Sequence, residues 1–285
     1  MKIRIGTRKS PLALAQTALV ELALRSRFAE IETETVTFST AGDKVLDRPI
    51  DKIGGKGVFS GEIESALQRG DIDLAVHSAK DLPIRLGEGL EISGVLERGN
   101  FRDLLISRKG SGFERSDVFT VGTGSPRRRA NLSRLYPNAV FADIRGNVDT
   151  RLKKLKNGEY DAVILCAAGT ERLGIALDNY AVRAFEPCEF PPAPCQAIIA
   201  LECAAGSAAA ELARAVADNN TMCCFEAERA VIAAFGADCA APVGAFAEII
   251  DGKIHLLVSD ETGAVTSGSA AVEDRLELVK ELTAR

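Results

Sequence analysis

Val76-His77-Ser78-Ala79-Lys80-Asp81-Leu82-Pro83 crowds a histidine, a lysine and an aspartate into five positions. The segment follows an apolar run over 72–76 that reads as a buried strand. It therefore sits where a strand ends and the chain turns over a sheet edge, the usual place for chemistry in an α/β fold. Lys80 and Asp81, side by side there, can hold an anion and a developing cation within one small space. A plain turn is the competing reading, because Asp two residues before Pro is a common loop signal. A Ser-His-Asp triad built on His77 is a third, but no G-x-S-x-G accompanies it.

Arginines gather at the expected strand ends and helix starts: Arg8, the run Arg127-Arg128-Arg129, Arg145 before Gly146, Arg151 and Arg172. Arginine is the side chain for bidentate binding of carboxylate or phosphate, although exposed helical arginines are usually just solvated. The run stands directly after a Ser125-Pro126 helix start, so it stacks charge on a positive helix end. A ligand with several carboxylates would meet that demand.

The elements that must position these residues alternate. Strands are expected over 3–6, 31–38, 72–76 and 90–95, with helices over 11–25 and 58–68. The alternation restarts with strands over 104–107, 118–122, 139–141 and 162–165 and helices over 126–135 and 148–156. This predicts an α/β fold with a mainly parallel sheet in each half. The halves also echo each other. Ile5-Gly6-Thr7 then Ser10-Pro11 matches Val121-Gly122-Thr123 then Ser125-Pro126. Ser as N-cap with Pro at the first helical position is a strong start signal, and it aims free backbone N–H groups at an anion. The competing reading is that α/β units always look alike. The stretch over 42–57 is polar, Gly-rich and poorly periodic, which suits a functional lid or a disordered loop. After a Pro-rich connector at 187–194, an apolar strand over 198–201 could return to the first lobe's sheet. A helix over 221–235, a hairpin around Asp251-Gly252 and a helix over 271–282 make a small α+β domain.

Composition removes several function classes. With 285 residues, 46% hydrophobic and 26% charged, the chain is an ordinary globular sequence long enough for two or three domains. It has no Trp and three Tyr, which disfavours a base-stacking surface. Net charge is −5, yet residues 100–188 carry 15 Lys+Arg against 10 Asp+Glu. A basic middle inside an acidic whole points to a local anion site and away from nucleic acid. No apolar run approaches the length of a membrane span, and the N-terminus carries no apolar signal region, so the cytoplasm is the expected location. Seven cysteines without a C-x-x-C pair and two distant histidines argue against a disulfide framework and a metal site.

Five segments carry a resemblance. They are Ile5-Gly6-Thr7-Arg8-Lys9-Ser10-Pro11-Leu12-Ala13-Leu14-Ala15-Gln16, Gly54-Gly55-Lys56-Gly57-Val58-Phe59, the stretch 76–83, Arg145-Gly146-Asn147-Val148-Asp149-Thr150-Arg151-Leu152, and Gly236-Ala237-Asp238-Cys239-Ala240-Ala241-Pro242-Val243-Gly244. In order and spacing they resemble the porphobilinogen deaminase (hydroxymethylbilane synthase) family. The resemblance implies two periplasmic-binding-protein-like lobes with a small α+β C-terminal domain: 1–98 plus 189–215, 99–188, and 216–285. It implies head-to-tail condensation of four porphobilinogen molecules into hydroxymethylbilane with release of ammonia, in haem biosynthesis, by a cytoplasmic monomer. The primer would be a dipyrromethane cofactor held through a thioether to Cys239. Sequence alone would not have preferred Cys239 over six other cysteines, but a thiol suits the task because sulfur adds readily to an electrophilic azafulvene.

By the same resemblance Asp81 is the catalytic carboxylate, which protonates the leaving amine, stabilises the pyrrolic cation and assists loss of the ring proton. Lys80, Ser125, Arg127, Arg128 and Arg151 match cofactor-binding positions. Arg8, Ser10, Gln16, Arg145 and Arg172 match positions for the acetate and propionate of the incoming substrate. Lys56 and Phe59 match the lid and its edge. The chain departs from the family where a Gly-Gln-Gly stretch is replaced by Pro194-Cys195-Gln196-Ala197-Ile198. The alternative is a two-lobed carboxylate-binding protein without catalysis, which would need the arginines but neither Asp81 beside Lys80 nor Cys239.

Overall fold

The computed structural model describes residues 1–39, 61–236 and 242–284. In chain order the first elements are β1 (Lys2–Arg8), α1 (Pro11–Arg27), β2 (Glu32–Phe38), α2 (Gly61–Arg69), β3 (Leu74–Ser78) and β4 (Leu90–Val95). Next come β5 (Asp103–Arg108), β6 (Thr120–Gly122), α3 (Pro126–Leu135), β7 (Val140–Ala142), α4 (Val148–Lys156), β8 (Ala162–Cys166), α5 (Ala167–Arg172) and β9 (Tyr180–Ala184). The last are β10 (Ile199–Ala204), α6 (Ala208–Ala215), α7 (Asn219–Ala234), β11 (Gly244–Ile250), β12 (Lys253–Ser259), β13 (Val265–Ala271) and α8 (Arg275–Thr283).

The chain divides into two compact units, 1–99 with 197–226 and 100–196 with 227–285. The first holds a five-stranded sheet in the order β2-β1-β3-β10-β4. Strands β1, β2 and β3 pair parallel, and β10 runs antiparallel to both β3 and β4. Alternate residues feed opposite cores. Ile3, Ile5, Leu74, Val76 and Leu201 pack with Val20 and Leu24 of α1 and Ala209 and Ala213 of α6. On the other face Ile72 and Ala75 pack with Ile63 and Leu67 of α2. Two covered faces explain why these strands read as continuous apolar runs.

The second unit repeats the plan in its own sheet, β7-β6-β8-β5-β9. Here β6 pairs parallel with β7 and β8, and β5 is antiparallel to β8 and β9. Strand by strand this is the first sheet again, so the echo between Ile5-Gly6-Thr7 and Val121-Gly122-Thr123 is a topological repeat. Each sheet is mainly parallel, as expected, with one reversed strand. Four strands run one way and a fifth, reversed strand is inserted beside the edge. The reason is connectivity: β5 is laid down before the rest of its sheet and β10 after the rest of its own.

Residues 244–271 form a three-stranded antiparallel sheet within the second unit. The hairpin expected at Asp251-Gly252 is there, with φ of 50° and 73°, the paired left-handed residues of a two-residue turn. The helix expected over 271–282 starts later, at Arg275; Ala271 ends strand β13 and Val272–Asp274 form a single 3-10 turn between them. Val265-Thr266-Ser267-Gly268-Ser269-Ala270-Ala271 has no apolar alternation, so its pairing with β12 left no periodic mark in the sequence.

Candidate functional site

In the first unit, β1 ends on Arg8 and hands over to α1 through Ser10, whose side chain accepts from Ala13 N at 3.3 Å, with Pro11 at the first helical position. Next to β1 in the sheet, β3 ends on Ser78 and the chain takes one tight turn, Ala79–Asp81, closed by Leu82 N donating to Ala79 O at 3.2 Å. Gln16, buried one turn into α1, donates through Nε2 to Ser78 Oγ at 2.8 Å. A pocket opens above these two strand ends, lined among others by Arg8, Ser10, Gln16, Ser78 and Asp81. Four of the sequence-selected residues are thus brought together: a cation, a capping hydroxyl, an amide and an exposed carboxylate. Lys80 is half-buried on the same turn.

The second unit builds a different kind of site on the same plan. Ser125 caps α3, accepting from Arg128 N, and Pro126 again takes the first position. The arginines that follow turn inward. Asp103, buried at the start of β5, accepts from Arg127 Nη2 at 2.8 Å through Oδ2, and from Arg128 Nη2 at 2.7 Å and Nε at 3.0 Å through Oδ1. Arg127 Nη1 donates to Pro191 O and Arg128 Nη1 to Ile164 O. Arg129 folds back onto Thr123 O and pairs with Asp143. The demand that a ligand with several carboxylates was expected to meet is taken up in part from within, by Asp103 and Asp143. Two arginines on one aspartate still leave one net positive charge, and both are at most 9% exposed.

That charge is not isolated. Arg151, on α4, donates through Nε to Gly146 O at 2.9 Å. Burial, and then the neighbouring Arg128 and Arg145 cations, push its guanidinium down to about 10. Burial also lowers Arg127 and Arg172, with Asp103 opposing the shift at Arg127 and Cys166 and Glu171 opposing it at Arg172. Gly146 between Arg145 and Asn147 has φ 111°, and a Cβ there would meet Thr150 Cβ at 2.7 Å. The loop can therefore close over the helix start only with glycine. Arg128, Arg145 and Arg151 share one crowded positive field, an arrangement suited to an anion with more than one carboxylate.

Lys56, Phe59 and Cys239 lie outside the described residues. Among the described cysteines, Cys195, Cys203 and Cys224 are buried, and burial pushes the Cys203 thiol up to about 12. Sequence reasoning missed Asp103. The available signal was an acid opening an apolar strand, Asp103-Leu104-Leu105-Ile106, in a region with an arginine run lacking nearby acids. Among the described residues no group of three or more His, Cys, Asp or Glu could hold a metal ion, and no helix is long and apolar enough to cross a membrane.

Comparison with known proteins covers nearly the whole chain. Residues 3–212 match the family model described as porphobilinogen deaminase, dipyromethane cofactor binding domain, and residues 222–283 match porphobilinogen deaminase, C-terminal domain. The porphobilinogen deaminase of Xanthomonas oryzae pv. oryzae (strain PXO99A) is 44% identical over 247 residues, covering 86% of this chain and 81% of the relative. That of Syntrophobacter fumaroxidans is 41% identical over 257 residues (89% and 82%), and that of Ruminiclostridium cellulolyticum 39% over 255 (90% and 85%). Two matched domains in sequence, and relatives at this identity along most of their length, make this chain a member of the porphobilinogen deaminase family.

Proposed function

We propose that Asp81 is the acid with which this chain, as a porphobilinogen deaminase, condenses four porphobilinogen molecules head to tail into hydroxymethylbilane. One carboxyl proton goes to the departing amine, which leaves as ammonia. The carboxylate left behind sits beside the cationic substrate and stabilises it. When the new carbon–carbon bond has formed, the same carboxylate takes the proton from the attacked ring carbon and is an acid again. Arg8, Ser10 and Gln16 hold the acetate and propionate of the incoming substrate, and Arg145 and Arg172 serve its carboxylates as well. The observation that carries this reading is the pocket of the first unit, where Asp81 shares a lining with Arg8, Ser10 and Gln16. Family membership does not favour the alternative of a carboxylate-binding protein without catalysis.

The dipyrromethane cofactor fits the residues of the second unit. Arg151 lies in a positive field with Arg128 and Arg145, and its lowered affinity for its proton is relieved by a neighbouring anion. Lys80, Ser125, Arg127, Arg128 and Arg151 would hold the cofactor's carboxylates. When bound, the group supplies the nucleophilic pyrrole carbon and the anchor for the growing chain. Cys239 would attach it through sulfur, and Cys203, a thiol up to about pH 12, would not. Lys56 and Phe59 would belong to the lid, and residues 216–285 to the cofactor-carrying domain. We read the chain as a cytoplasmic monomer.

The test is Asp81→Asn, which keeps the size of the side chain and removes its transferable proton and its charge. Turnover is expected to fall at least ~10²-fold, as for loss of a general acid and an electrostatic stabiliser together. Intact mass should still show two pyrrole units above the sequence mass, and circular dichroism should be unchanged. Single-turnover consumption of porphobilinogen near the wild-type rate would reduce Asp81 to a turn residue.

A further inference from the structure

Strands β3 and β10 pair antiparallel, with His77 opposite Ala200 and Ala75 opposite Glu202. Residues two apart share a face, so His77 and Glu202 project from the same side of the sheet. Their side chains meet, with His77 Nε2 and Glu202 Oε2 2.8 Å apart. Glu202 is 0% exposed and His77 8%. The second carboxylate oxygen, Oε1, has no hydrogen-bond partner among the described residues. A buried carboxylate resting on a single donor is an expensive way to fill a sheet face, and apolar residues of similar volume would serve packing as well or better.

The location suggests what the pair holds. His77 stands four residues before Asp81, next to last in β3 and just ahead of the turn. The two residues after it have ties of their own. Ser78 is bonded to Gln16 of α1, and Ala79 N donates to Ile198 O at 3.0 Å. Positions 77, 78 and 79 are therefore each fastened to a different support, on both sides of the strand, immediately before the chain presents Asp81. His77 is the one of the three whose tie is a buried polar pair.

We propose that His77 and Glu202 are a positioning pair that fixes the turn bearing Asp81, so that losing the pair lowers turnover without loosening substrate or cofactor. The proposal rests on Asp81 being the acid. His77 itself shares the pocket's lining with Asp81, and misplacing a reacting group by about 1 Å can cost ~10²-fold in rate.

The experiment compares holoenzyme variants by kcat, KM, thermal melting and intact mass. Glu202→Gln keeps an acceptor oxygen for the imidazole and should stay within about threefold of wild-type kcat if the hydrogen bond does the positioning. Glu202→Leu leaves His77 without its acceptor, and kcat should fall about 10- to 100-fold with KM nearly unchanged and cofactor mass retained. The double variant His77→Leu/Glu202→Leu removes both polar groups, so it tolerates burial better than Glu202→Leu and decides the matter where that single variant does not fold. It should be folded and still slow. A folded double variant with full cofactor and wild-type kcat would overturn the proposal, as would an effect on KM alone. Asp81→Asn is measured alongside. A slow Asp81→Asn with a fast double variant refutes the positioning pair only, whereas a fast Asp81→Asn removes the acid and this proposal with it.

Discussion

The loops that follow β1 and β6 are nearly the same piece of backbone put to opposite uses. Each follows the second strand of a five-stranded sheet, which carries a Gly-Thr pair at or next to its end, and enters a helix through a serine cap and a proline. The helix dipole and free N–H groups are the same in both. What differs is the next two side chains, Leu12-Ala13 in one and Arg127-Arg128 in the other. With small apolar residues the first helix start keeps an open pocket in which Asp81 stays exposed beside Arg8. With arginines the second start becomes a buried charged cluster on Asp103, bordered by Arg145 and Arg151. The backbone supplies an anion-friendly helix end twice, and side chains decide whether that place holds an acid or a cation field.

The sharpest way to break the comparison is to remove the acid from each unit. Asp103→Ala leaves two buried guanidinium groups without their carboxylate, and a broken buried ion pair costs about 3–5 kcal/mol. Urea unfolding should show a loss of that size, with the second unit's near-ultraviolet signal going first. Asp81→Asn, on an exposed turn, should leave the stability within about 0.5 kcal/mol of wild type while turnover falls at least ~10²-fold. An Asp103→Ala protein as stable as wild type would mean that the arginine run is satisfied by something other than Asp103.

A smaller effect separates charge needed for binding from charge needed for folding. Arg145 adds to the positive field that lowers Arg151. A guanidinium with its folded pKa held below its ordinary value is more costly to keep charged in the folded chain, at any pH below about 10, than in the unfolded one. Removing a like charge eases that cost. Arg145→Gln should therefore leave the melting temperature unchanged or slightly higher. It should also raise KM for porphobilinogen about tenfold, the loss of one charge-assisted hydrogen bond. A lower melting temperature with unchanged KM would place Arg145 in the scaffold.

How much of this was legible follows from what leaves a mark in sequence. The Ser10-Pro11 and Ser125-Pro126 starts were readable because capping chemistry is local, and helix α3 begins and ends where its residues said it would. The return of β10 to the first sheet was readable from its apolar run between punctuating residues. Strand β9, with exposed Arg183 and Val182, and strand β13, built from Ser, Thr, Gly and Ala, carry no periodicity and were missed. Asp103 and Glu202 were missed for another reason. Each is explained by a partner distant in sequence, Asp103 by Arg127 and Arg128, Glu202 by His77 across 125 positions, and no local rule reports such a pairing. The site roles of Asp81 and the arginines came from resemblance to the family; spacing alone gave a strand end with charge on it.

The smallest effect concerns the segment where the family's Gly-Gln-Gly is replaced. Cys195 and Ala197 have φ of 61° and 69°, left-handed backbone that side chains resist. Between them Gln196 is wholly buried and donates through Nε2 to Phe101 O at 2.7 Å, so the segment cannot relax without giving up that bond. A residue with a Cβ in this region costs roughly 1–2 kcal/mol. Reverting Ala197 to glycine relieves that strain, but it gives up one buried methyl, about 0.8 kcal/mol, and about 0.4–1 kcal/mol through the freer unfolded chain. The opposing contributions nearly cancel, so Ala197→Gly should fall within about 0.5 kcal/mol of wild type. Ala200→Gly, three residues on inside regular strand β10, has no strain to relieve and should lose about 1–2 kcal/mol. The difference between these two alanine-to-glycine changes, read by urea unfolding, measures the strain directly. Equal losses at both positions would show that Ala197 sits in its left-handed conformation at no cost, and that the departure from glycine in this chain is free.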